Sequence, residues 1–267
     1  MTGRKKQTRL VFREETDLDA VKRIAKILLR SPIRACPEMP LLVNHPFFLS
    51  AMQPISNDEA GQYDLINILD NPEGRSTIIR QIEQQIDEKE SVTQIGFILI
   101  DKKYRLLFLS MAAPFCSRKD IGLYLNTLWV TVEFISQDPN VSNQDIVRLF
   151  RQSDPSTLMS EKERDFLDCL PNEITIYRGV CLTGKSRHKL SPYGFSWSLD
   201  KQVANWYCTR FGCAHNDNAV LYEARIQKKD ILAYFGDRAD EQEVVVNPKK
   251  VYGITTHMPE YGDSTYI

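Results

Sequence analysis

Glu241 and Glu243 stand two residues apart, after Asp240 and directly before the run Val244–Val245–Val246. Valine runs favour strands, and alternate residues of a strand share a face. If the strand reaches back to Glu241, both acids face one way. If it begins at Glu243, Glu241 sits on a loop at its mouth. Two further groupings lie upstream. Tyr177–Arg178–Gly179 ends an apolar strand. An arginine there is costly to bury unpaired, and its planar fork suits phosphate or carboxylate. Gly179 lets the backbone approach a ligand closely. Phe195–Ser196–Trp197–Ser198–Leu199 puts two hydroxyls on one strand face and three apolar side chains on the other. Such hydroxyls need partners and could orient a carboxylate and a ligand hydroxyl. Each grouping alone has a plainer reading: an exposed strand end, a salt bridge, the polar side of an amphipathic strand. Together they offer an anion clamp, two orienting hydroxyls and a carboxylate pair. That set suits cleavage of a glycosidic bond with a cationic leaving group. A carboxylate can stabilise the oxocarbenium-like state, and the leaving group needs no general acid.

The elements that must position these residues are legible as periodicities. Strands are expected over 173–180, 195–199, 219–226, 231–235 and 251–257, besides the one after Glu241. A helix capped by Asp200 should run to Phe211 with Val203, Ala204, Tyr207 and Cys208 on related faces. Ser160 and Glu163 fit a capping box that starts a helix ending near Cys169, before Pro171. Residues 234–239 read as a loop rooted on Tyr234 and Phe235. Earlier in the chain, helices are expected over 17–30 (Leu18, Val21, Ile24, Ala25, Leu28), 76–88, 119–135 (Leu123, Leu128, Trp129, Val132) and 143–151. Residues 31–60 hold five prolines and should be an irregular, packed connection. Two β-rich runs, 93–100 and 105–111, flank Asp101–Lys102–Lys103–Tyr104 and suggest a hairpin.

Composition narrows the class. The chain has 267 residues, 42% hydrophobic content and net charge -1, enough for a sizeable core without a basic field for nucleic acid. No apolar run is long enough to span a membrane. The basic start lacks a following apolar segment, so no secretory signal is expected. The six cysteines show no CxxC and read as reduced, mostly buried thiols in a cytoplasmic setting. Delivery into a host by a route without a cleaved signal would fit the same sequence. Cys208, Cys213 and His215 match no zinc spacing and lack a fourth ligand, so no metal is expected. His45 reads as structural.

The order Arg-Gly, then Ser-x-Ser followed by a helix, then Glu-x-Glu before an aliphatic strand resembles the Arg–Ser–Glu class of mono-ADP-ribosyltransferases. The matching stretches are 195–204 (FSWSLDKQVA), 219–226 (AVLYEARI) and 241–248 (EQEVVVNP), and the resemblance spans residues 160–258. It implies an α+β chain: an ADP-ribosyltransferase-like split β-sandwich with flanking helices over 116–267, with NAD between two sheets. An α+β region of no assigned role, 1–115, precedes it. NAD would be a substrate, with no metal. Arg178 would bind the phosphate and ribose side of NAD, and Gly179 would offer its backbone to the nicotinamide amide. Ser196 would hold the catalytic glutamate or ribose, and Ser198 would support that strand. Glu243 would bind the nicotinamide ribose and stabilise the oxocarbenium ion. Glu241 would orient or deprotonate the acceptor; a glutamate there goes with arginine-directed transfer to a protein. Tyr234 and Phe235 would face that protein. Two departures stand out. Trp197 replaces a usually small residue, and Arg210–Phe211 reverses a Phe–Arg pair that touches NAD. NAD glycohydrolysis, with water as acceptor, is one alternative. A non-catalytic NAD-binding module is the other.

Overall fold

The computed structural model describes residues 13–56, 63–131, 138–181, 191–209, 219–236 and 241–260. They form a mixed α and β structure in two compact units, 13–131 with 138–154, and 155–260. The expected boundary at 115/116 falls inside the first unit.

In the first unit, Asp17 caps helix α1 (Leu18–Leu29) by accepting from Ala20 N. Ala20, Val21, Ala25, Leu28 and Leu29 form its buried face, the three-and-four spacing of an amphipathic helix. Within residues 31–60, expected to be irregular, the described part 31–56 instead contributes three strands. β1 (Arg34–Cys36) pairs antiparallel with β2 (Met39–Asn44), and β3 (Met52–Ser56) with β4 (Tyr63–Asn67). Pro40 and Pro54 are accommodated because each of these sheets has only two strands, so one side of every strand needs no N–H donor. Helix α2 (Pro72–Asp87) follows, capped by Asn71.

The expected hairpin over 93–111 is helical. Ser91 caps the short helix α3 (Val92–Gln94). A π-helical turn covers Ile95–Leu99, a 3₁₀ turn Lys102–Tyr104, and helix α4 Arg105–Ala112. The physical reason lies in which apolar residues are buried. Val92 and Ile95 are buried while Ile98 is 65% exposed, and Leu106, Leu109 and Ala112 are buried. That is a period of three to four, and a short continuous apolar run cannot be assigned by composition alone. Helix α5 (Arg118–Thr131) carries Tyr124, wholly buried, between Phe97 and Phe108. Its Leu123 is 48% exposed, not inward as its pattern suggested. Helix α6 (Asn143–Gln152) buries Ile146, Leu149 and Phe150. His45 is buried, stacked on Phe48, and burial lowers its pKa to about 4. Its Nδ1 accepts from Phe47 N at 3.1 Å.

The second unit opens with α7 (Pro155–Leu158) and α8 (Glu161–Cys169), and the Ser160–Glu163 capping box is present at both of its bonds. Then come β5 (Glu173–Cys181), β6 (Ser196–Ser198), α9 (Lys201–Thr209), β7 (Ala219–Gln227), β8 (Ile231–Phe235), β9 (Glu243–Val246) and β10 (Tyr252–His257). They make one six-stranded antiparallel sheet in the order β10-β7-β5-β6-β9-β8. The joint in the middle is thin. β5 pairs with β7 from Glu173↔Gln227 to Cys181↔Ala219, but with β6 only at Tyr177↔Ser198. The sheet is nearly parted between the strand carrying Arg178 and the strand carrying the two serines.

Among the described residues, no helix is long and apolar enough to cross a membrane, and no His/Cys/Asp/Glu group could hold a metal. Cys213 and His215 lie outside those residues, as do Asp240, Arg210 and Phe211. The expectation of reduced, mostly buried thiols needs correcting. Cys181 is disulfide-bonded and Cys169 is exposed, while Cys116 and Cys208 are free and buried. Disulfides persist in oxidising settings, so the thiols give no support to a cytoplasmic one.

Candidate active site

Arg178 and Gly179 leave β5 on opposite faces, and each is explained by a different neighbour. Gly179 lies under α9. A Cβ there would meet the Ala204 carbonyl oxygen and come 2.9 Å from both Cys208 N and Cys208 Sγ. Ala204 and Cys208, one helical turn apart, pack with Leu221 into a buried cluster joined by Tyr177 and Ala219. The residue is glycine because a helix crosses the strand at that point, a reason independent of any ligand.

The Arg178 side chain emerges on the other face, directly opposite Tyr222 on β7. Its Nη1 donates to the backbone carbonyl of Ser196. Its Nε is shielded from solvent and has no hydrogen-bond partner among the described residues. Burial lowers the guanidinium pKa to about 10, and Glu243 and then Tyr222 act in the opposite direction. Arg178 is therefore charged at neutral pH, with one N–H unsatisfied. A buried charged donor left without an acceptor is costly, and it is the kind of group that an anionic ligand satisfies.

Ser196 and Glu243 meet. Ser196 Oγ donates to Glu243 Oε1. In the β6–β9 ladder Ser198 stands opposite Glu243 and Ser196 opposite Val245, so the bond runs diagonally between side chains on one face, within the reach of such neighbours. Ser198 does something else. Its hydroxyl donates to the Glu241 backbone carbonyl at 2.8 Å and accepts from Asp200 N at 2.9 Å. Next to it, Leu199 N donates to the Gln242 carbonyl at 3.1 Å. These bonds fasten a turn in which Gln242 has φ 44°, the left-handed region that non-glycine residues visit at a cost.

That turn decides between the two arrangements left open for the acid pair. β9 begins at Glu243, so Glu241 lies on the loop at its mouth and the strand alternation does not govern it. The Glu241 carboxylate makes no hydrogen bond among the described residues. One glutamate is held by a hydroxyl inside the sheet, and the other is carried beside it on a pinned backbone.

Tyr234 and Phe235 do not form the outward-facing loop that was expected. Both belong to β8 and are 5% and 0% exposed. Tyr234 stacks on Phe166 of α8, with ring centroids 4.5 Å apart, and Tyr234 N donates to Met159 Sδ. Gly236 N donates to Glu163 Oε1 at 3.1 Å, while Glu163 Oε2 accepts from Ser160 N at 2.8 Å. The capping glutamate of α8 thus also fixes the chain just before it enters 237–240. Gly194 was likewise not singled out by its sequence. Its α-carbon lies against the Arg178 guanidinium, so that a Cβ would come 2.6 Å from Nη1. A glycine sixteen positions from the arginine carries no local sign of that contact.

No protein-family model, curated protein or solved structure matches the chain.

Proposed function

We propose that this protein is an NAD-dependent mono-ADP-ribosyltransferase that moves ADP-ribose from NAD to a protein acceptor, arginine by preference. The observation that carries this reading is the Ser196–Glu243 hydrogen bond across β6 and β9, one strand from Arg178 on β5, whose shielded Nε has no partner among the described residues. An anion receptor and an oriented carboxylate on either side of β6 suit a substrate that is both a diphosphate and a glycoside.

The steps follow from the charges. Arg178 takes the anionic part of NAD. The bond between the nicotinamide nitrogen and the ribose C1′ breaks, and nicotinamide leaves neutral with the electron pair. The ribose becomes an oxocarbenium ion, which Glu243, oriented by Ser196, stabilises electrostatically. A guanidinium nitrogen of the acceptor forms the new bond to C1′. The proton it loses passes to the Glu241 carboxylate at the mouth of β9. Water could enter at the same place and give free ADP-ribose.

The test is incubation of the purified protein with labelled NAD and a lysate, followed by mass spectrometry of labelled protein. Label on arginine, with nicotinamide released in step, supports the reading. Free ADP-ribose alone makes the protein a glycohydrolase. Failure to bind NAD removes both.

A further inference from the structure

We propose that Trp197 is a positioning residue for Arg178, acting through the backbone of Gly194. Its role as part of an NAD site rests on the function proposed above. Trp197 sits between the two serines of β6 and is 2% exposed. Strand alternation sends its ring to the face opposite their hydroxyls. A buried indole N–H needs an acceptor, and Trp197 Nε1 donates to the Gly194 carbonyl at 3.0 Å. Gly194 N in turn donates to the Pro192 carbonyl at 2.9 Å. The residue is thus tied at both its N–H and its C=O, and its α-carbon forms a wall against the Arg178 guanidinium.

The guanidinium needs that wall. Its Nη1 donates to the Ser196 carbonyl, and its Nε has no partner among the described residues. A long arginine side chain is not fixed by one such bond, since it keeps considerable rotamer freedom. Ser196 holds the group by its carbonyl, and the next residue holds it through Gly194. Residues 196 and 197 therefore seat the anion receptor from two sides, while the Ser196 hydroxyl serves Glu243. A side chain without the indole N–H at 197 could fill the same space but would leave the Gly194 carbonyl unheld. Because Arg178 binds substrate in ground state and transition state alike, loosening it should raise the NAD dissociation constant rather than lower kcat.

The experiment reads Arg178 directly. Arginine Nε–H signals are recorded by ¹⁵N NMR on the whole chain, with the Arg178 signal identified by its loss in Arg178→Lys. NAD binding and nicotinamide release are measured on the same samples. Two changes remove the donor: Trp197→Phe, and replacement of Trp197 by benzothienylalanine, where sulfur stands for the indole N–H at nearly the same volume. The second keeps the test usable if the first does not fold. In the folded variant the Arg178 signal should move and exchange faster with water. NAD binding should weaken about fivefold, the worth of one hydrogen bond, with kcat within about twofold. An unchanged Arg178 signal in a folded variant overturns the inference, and so does unchanged NAD affinity where wild type binds NAD. If wild type does not bind NAD, the proposed function fails by itself, and the Arg178 signal still decides whether Trp197 positions it.

Discussion

Ser198→Ala separates the two glutamates without substituting either. The Ser198 hydroxyl makes two hydrogen bonds, to the Glu241 carbonyl at 2.8 Å and from Asp200 N at 2.9 Å, and the residue is 6% exposed. Losing both should cost about 2 kcal/mol of stability, at about 1 kcal/mol for each buried bond. Only the first of them bears on the site. It helps to hold Gln242 at φ 44°, a conformation that costs an ordinary residue roughly 1–2 kcal/mol. With that bond gone, the turn keeps the Leu199-to-Gln242 bond but loses about 1 kcal/mol of its bias, a factor of roughly five in population. Glu241 should then spend less time in place, whereas Glu243 remains bonded to Ser196. Urea unfolding checks the stability change. Parallel assays of label transfer and NAD hydrolysis check the site, with transfer expected to fall about fivefold and NAD affinity to stay within about twofold. Equal loss of NAD affinity and transfer, in a protein shown to be folded, would refute the claim that Ser198 serves the Glu241 turn.

Three further outcomes are expected. Glu163→Ala removes a buried carboxylate that accepts from both Ser160 N and Gly236 N; it should lower stability by about 3 kcal/mol in urea titration, since bonds to a charged acceptor are worth roughly 1.5–3 kcal/mol each. Gly179→Ala drives a methyl group into the Ala204 carbonyl and Cys208, and should cost about 1–3 kcal/mol as overpacking, read from the urea midpoint; a neutral effect would mean that α9 is not seated on β5. His45 has its pKa lowered by burial from 6.5 to about 4, so the unfolded chain binds the extra proton between those values. Its contribution is full above pH 6.5 and lost as pH falls toward 4, up to roughly 3 kcal/mol. His45→Leu should flatten that part of the stability profile relative to wild type.

Much of the second unit was readable from local pattern. The Ser160–Glu163 capping box needs only its own four residues, and the long strands over 173–181 and 219–227 declare themselves by β-branched and aromatic content. The acid pair could be read only as far as a choice, because the alternation rule holds inside a strand and Gln242, in a left-handed turn, lies just outside it. Tyr234 and Phe235 fit the end of the strand expected over 231–235, but Gly236 and Asp237 after them suggested an outward-facing loop root; Tyr234 instead packs on Phe166 of α8 and bonds to Met159 just before that helix. Gly194 and Trp197 could not be connected to Arg178 from sequence, since the contact is made across strands. In the first unit, the apolar runs around 92–112 carry no decisive period, and packing around Tyr124 settles them as helix.

The proposed division of labour between Glu241 and Glu243 is tested most directly by Glu241→Ala and Glu243→Ala with labelled NAD, with labelled protein and free ADP-ribose counted in the same reaction. Glu241→Ala should lose labelled protein while still releasing nicotinamide and ADP-ribose, and Glu243→Ala should lose all three. Nicotinamide release that survives in Glu243→Ala, or transfer that survives in Glu241→Ala, would contradict the account.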